Sequence, residues 1–118
     1  MSRATRNFPV RSSSAQELGT EYSAWQHVEA YSELTVLVDA TAVSGTGPVL
    51  SVTVQTSSTN AGTVLDCDLY PVKRIQVSAV EGRAMTLTGF GKYIRTKGVV
   101  EGSGTPTVTH TIEIEAKT

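Results

Sequence analysis

The stretch ELTVLVDATAVSGTGPVLSVTVQTS, residues 33–57, decides how this chain folds. Leu34, Val36, Val38 and Ala40 share one phase of a two-residue period, with Thr35, Asp39 and Thr41 on the other. Successive side chains of a strand point to opposite faces, so the alternation makes one face apolar and one polar. Leu50, Val52 and Val54 repeat the pattern against Ser51, Thr53 and Gln55. Between the two runs, SGTGP at residues 44–48 has the composition of a turn. Together they predict a β-hairpin. Leu37 falls in the polar phase, which implies contact on both faces of the first strand.

Outward from this stretch the chain continues to alternate strands and turns. A first strand is expected at about residues 23–30, around Trp25 and Val28. A short strand through Val64, Leu65, Cys67 and Leu69 is stopped by Pro71, which cannot donate to a sheet ladder. Ile75 and Val77 begin another, and Glu81-Gly82 turns the chain toward Met85 and Leu87. After a bend at Gly89–Gly91, Tyr93 to Val100 reads as a strand. Beyond a turn at Gly102–Pro106, the last strand carries Val108, His110, Ile112 and Ile114 in one phase. Its other phase is rich in Thr, and it is expected at an open edge that accepts a neighbour's segment by strand addition. Seven to eight short strands with a turn about every 8–12 residues predict a single antiparallel β-sandwich. Jelly-roll and immunoglobulin-like orders both fit this pattern.

The first twenty residues differ. They carry Arg3, Arg6, Arg11, Pro9 and the serines Ser12 to Ser14, with Phe8, Val10 and Leu18 as the bulky apolar groups. No period of 2 or 3.6 runs through them, so residues 1–20 are expected to form an extended N-terminal arm and residues 21–118 the sandwich domain. The 118 residues suit one domain. A net charge of −1 gives no long-range field to gather nucleic acid or an anionic membrane. Cys67 is the only cysteine, which excludes an intramolecular disulfide and a cysteine-based zinc site and suggests assembly in a cytosol. With no apolar run near about 18 residues, a soluble chain that neither spans a membrane nor is secreted is expected.

Chemistry is sparse. His27 and His110 are the only histidines, and neither stands in a nucleophile turn or a metal-ligand spacing, so no catalytic residue, metal site or cofactor is expected. His110, in the apolar phase, reads as a hydrogen-bonded core or edge residue. Asp66 and Asp68 share a strand face, but calcium wants about six to eight oxygens and no Asp-rich loop accompanies them. The Gly-x-Gly triplets lead into no helix and are turns, not phosphate cradles. Lys92, Arg95 and Lys97 around Tyr93 form a basic patch with too little aromatic surface for single-stranded nucleic acid. Trp25 and His27 share a phase, and with Lys92, Tyr93 and Arg95 they are the candidate interface residues.

Residues 33–57, FGKYIR at 90–95 and GTPTVTHTIEIEAK at 104–117 resemble small β-sandwich virion proteins of tailed bacteriophages. The likeness covers residues 22–117. It departs at the loop NAGTVL, residues 60–65, where such proteins often carry a Trp that is missing here. The resemblance implies a non-enzymatic capsid decoration (cement) protein on the virion surface, assembled in the host cytoplasm. Its partners would be the major capsid protein and copies of itself, as a homotrimer. In that role Arg3, Arg6 and Arg11 of the arm would bond shell carboxylates, and Phe8 and Pro9 would anchor in an apolar pocket. A head–tail connector, neck or minor tail protein is the alternative within the virion. A carbohydrate-binding module is the alternative outside it, opposed by an aromatic content of 6%.

Overall fold

Val, Ile and Thr are stiff at χ1 and pack well on a pleated surface, so runs rich in them settle as strands. The computed structural model describes residues 5–59, 63–67 and 74–118; Arg3, Asn60, Asp68, Leu69 and Pro71 lie outside the described residues. Eight strands follow in order: β1 Thr5–Glu17, β2 Gly19–Tyr22, β3 Gln26–His27, β4 Glu33–Ser57, β5 Leu65–Asp66, β6 Ile75–Val77, β7 Glu81–Leu87 and β8 Tyr93–Lys117. The described residues contain no helix.

The hairpin expected within residues 33–57 does not form. Both runs belong to β4, and both pair with β8 in one antiparallel ribbon from Glu33↔Lys117 to Ser57↔Tyr93. A straight strand of 25 residues would reach about 80 Å, yet the longest dimension of the molecule is 47 Å. The ribbon therefore folds back on itself. Its crease lies where the register shifts, between Ser44 and Val49 on β4 and opposite Glu101–Thr107 on β8. SGTGP and GSGTP are thus two facing corners, each looking like a turn in isolation.

Folding the ribbon creates two layers. One runs β1, β8 (107–117), β4 (33–44), β7. The other runs β2 and β3, β8 (93–101), β4 (49–57), then β5 and β6. A four-stranded pair of layers made by wrapping one long ribbon is a jelly roll, which resolves the two orders the sequence allowed. The even-numbered side chains stay inside on both sides of the crease. Leu34, Val36, Val38, Leu50, Val52 and Val54 of β4 meet Ile94, Val100, Val108, Ile112 and Ile114 of β8, all at 2% exposure or less. Each such burial contributes about 1.5–3 kcal/mol. The odd-numbered positions, including Leu37 at 40% exposure, make the outer faces.

Three further expectations are corrected. The N-terminal segment is extended, but it is packed: β1 pairs with β8 from Thr5↔Lys117 to Glu17↔Thr107 and buries Phe8 and Gln16. Register shifts on either side of Arg11 break its periodicity, which is why no pattern shows in the sequence. Consequently the last strand is no open edge, because β8 is flanked by β1 and β4. The first strand expected at about 23–30 shrinks to the two residues of β3, and β2 precedes that range, both lying along β8.

Candidate functional site

Because the even positions of β8 (93–101) point inward, Tyr93, Arg95 and Lys97 point out of the second layer. Pairing with β2 and β3 decides their neighbours. His27 lies opposite Tyr93 and Tyr22 opposite Lys97. Between them the chain is pinned at Ser23, whose N–H donates to the Thr96 carbonyl at 3.0 Å while its hydroxyl accepts from the Thr96 N–H at 2.9 Å. That fixes Tyr22 and Trp25 over the same patch of β8.

Arg95 is the centre of the patch. Its guanidinium carbon lies 4.3 Å from the Tyr22 ring centroid and 4.7 Å from the Trp25 ring centroid. Its Nε donates to Gln55 Oε1 at 2.9 Å, and Gln55 Nε2 donates in turn to Asp66 Oδ1 at 3.0 Å. Ring faces carry negative quadrupole density, so a guanidinium over two of them is held without a full counter-charge. Adjacent to this group, the His27 and Tyr93 rings stack with centroids 4.8 Å apart and planes 21° from parallel. Glu29 sits between His27 Nε2 at 3.2 Å and Lys92 Nζ at 3.5 Å. The His27 hydrogen bond, followed by the Lys92 charge, holds the Glu29 carboxyl below its ordinary range.

The structure therefore brings Trp25, His27, Lys92, Tyr93 and Arg95 onto one outer face. Sequence reasoning missed Gln55 and Glu29 as members of that face: Gln55 meets Arg95 through the β4–β8 register, and Glu29 follows directly on β3. The N-terminal candidates are dispersed. Phe8 is 6% exposed and meets Tyr31 edge-on at 6.2 Å, so it anchors β1 to its own core and not a partner's pocket. Arg11 is also spent internally, donating to the carbonyls of Ser14 at 2.9 Å and His110 at 2.6 Å and pairing with Glu21 at 3.2 Å. Arg6, lying 4.7 Å over the Phe8 ring, and Pro9 remain exposed on the β1 edge.

The face is suited to adhesion: a rigid cation, flat rings and flanking charges. Among the described residues, no three His, Cys, Asp or Glu side chains cluster to hold a metal ion.

Comparison with solved structures finds the same fold in proteins of several kinds, a peptidase and a xylanase's CBM36 domain as well as viral and prophage-derived proteins. The PBSX exported protein XepA matches with a TM-score of 0.68 at 10% identity, over 94% of this chain and 36% of that one. The structure of infectious bursal disease virus, Gx strain, matches with a TM-score of 0.62 at 12% identity, over 98% of this chain and 32% of the viral one. The SPBc2 prophage-derived protein YomS gives 0.58 at 12% identity, over 100% of this chain and 96% of YomS. This chain thus spans about a third of the first two and nearly all of the third. At such identities the likeness is one of fold. No family model and no curated sequence matches the chain.

Proposed function

We infer that this chain is a structural protein of a tailed-phage particle that binds the outer shell as a decoration protein. The observation that carries the reading is the jelly-roll body presenting a rigid arginine–aromatic face. The inward apolar side chains fill the core, while Arg95, Trp25 and Tyr22 are held in place at the surface by stacking and by Gln55. Trp, Tyr and Arg dominate the binding energy of protein interfaces, and a pre-ordered face loses little entropy on docking. The fold shared with prophage and viral proteins supports the same reading, as does the resemblance of residues 22–117 to phage virion proteins.

The proposed binding runs through the sandwich and not through the N-terminal segment. With Phe8 and Arg11 tied into the sandwich, docking falls to the outer face of the second layer and not to a free arm. The partners proposed are the major capsid protein and further copies of this chain, and no catalysis is involved. Counting copies of the chain per purified particle by quantitative mass spectrometry tests the proposal. Many copies, in a fixed ratio to the capsid protein, are expected. A single small ring would move it to the connector or neck, and absence from the particle would overturn the virion reading.

A further inference from the structure

Among the described residues, Arg95 and Lys97 enter no ion pair. The acids bordering their face are engaged elsewhere. Glu29 pairs with His27 and Lys92, and Glu21 pairs with Arg11. Gln55 stands between Asp66 and Arg95, taking the Arg95 Nε–H on its carbonyl oxygen and giving an amide N–H to Asp66. Two uncompensated cations are thus left on the outer face of β8, two residues and about 6.6 Å apart along the strand.

What Arg95 still offers is narrow. Its Nε–H is taken by Gln55, and its guanidinium lies against the Tyr22 and Trp25 rings at 4.3 and 4.7 Å. The N–H groups of its terminal nitrogens have no acceptor among the described residues. Unlike Arg11 Nε, they are not shut away from solvent. A flat fork held against rings, with Nε already bonded, meets a ligand edge-on through two parallel N–H groups, the geometry that a carboxylate accepts. A nucleic acid would need further cations to follow its phosphates. Beyond Lys97 the same face of β8 runs on to Val99 and Glu101, and the whole chain carries a net charge of −1.

We propose that the capsid protein meets this face with an acidic surface segment, a reading that rests on the docking of the face to the shell. One carboxylate bonds edge-on to the terminal nitrogens of Arg95 and a second reaches Lys97, so the two stand about 6–7 Å apart. Because Arg95 is held before the partner arrives, the pair forms at little cost in side-chain entropy, and docking weakens as salt rises.

Binding is measured with the full chain and particles stripped of it, either untreated, with their carboxyl groups amidated, or with their lysines acetylated. Amidation should weaken binding at least tenfold, and acetylation should leave it unchanged. Lys97→Gln leaves the Arg95 stack in place and should weaken binding about threefold and flatten its salt dependence. Zero-length carbodiimide crosslinking of the untreated complex, read by peptide mass spectrometry, should join Lys97 to an Asp or Glu of the capsid protein. Asp39 and Glu113, exposed and without an ion pair on the outer face of the first layer, are the carboxylates that a second copy would bring. A crosslink from Lys97 to either of them, full binding to amidated particles, or release of the chain by nuclease would overturn the acidic capsid segment while leaving the face a docking surface. No binding to untreated particles would overturn the docking reading and the acidic segment with it.

Discussion

The guanidinium carbon of Arg95 lies 4.7 Å from the Trp25 ring centroid, and Gln55 holds it there on the outer face of the second layer. Arg95→Lys would keep the charge while losing the planar stack and the directed bond to Gln55. Binding to particles stripped of the protein should weaken at least tenfold, while stability changes by only about 1 kcal/mol. Pull-down titration with parallel urea unfolding checks both. A stability loss large enough to explain the binding loss would assign Arg95 to the fold instead.

The crease of the ribbon makes a sharper stability test. A Cβ at Gly45 would come 2.6 Å from Pro106 Cα, with φ at +95°, whereas Gly47, at φ +58°, has open space around it. Gly47→Ala should cost about 1–2 kcal/mol from backbone strain alone. Gly45→Ala should cost a further 1–3 kcal/mol or so from the overlap. Thr105, a β-branched residue at φ 52°, lies on the facing corner, and Thr105→Gly should stabilise by about 1 kcal/mol. Urea midpoints of the three variants give the order directly.

Phe8→Ala should destabilise by about 3–5 kcal/mol, a large share of a total of about 5–15 kcal/mol. Arg6→Ala, one turn of the pleat away and exposed, should cost less than about 1 kcal/mol. If β1 were a detachable arm, both changes would be silent in thermal melts.

Burial, aided by the Arg11 charge, pushes the His110 pKa below its ordinary value. Unfolded, the ring titrates near about 6.5. Between the two values the unfolded chain binds a proton that the folded chain refuses, so stability is complete above about pH 6.5 and declines as pH falls below it. His110→Phe should flatten that decline, read as melting temperature against pH. Parallel curves for the two proteins would contradict it.

Much of this architecture is legible in the sequence because one period runs through it. Leu34 to Val54 and Ile94 to Ile114 keep even positions inward across the crease, so the core could be read without knowing the strand order. The crease is not legible, since SGTGP looks alike whether it reverses a chain or bends a ribbon; the facing GSGTP decides, and only long-range pairing reveals it. β1 was illegible for another reason: its slips around Arg11 erase the alternation, and Gln16 is buried by bonds to Gly98 and Gly19 and not by apolar character. For the outer face, residue type pointed to Trp25, His27, Tyr93 and Arg95, but their grouping rests on the β3 register, which two residues of strand cannot announce.

The most direct test of the central claim is a cryo-EM reconstruction of the purified particle, read for what touches Trp25 and Arg95. Density for this chain on the shell, with Tyr22, Trp25 and Arg95 buried against the capsid protein, is the expected result. A chain bound through another surface with that face in solvent, or no chain on the particle at all, would contradict it.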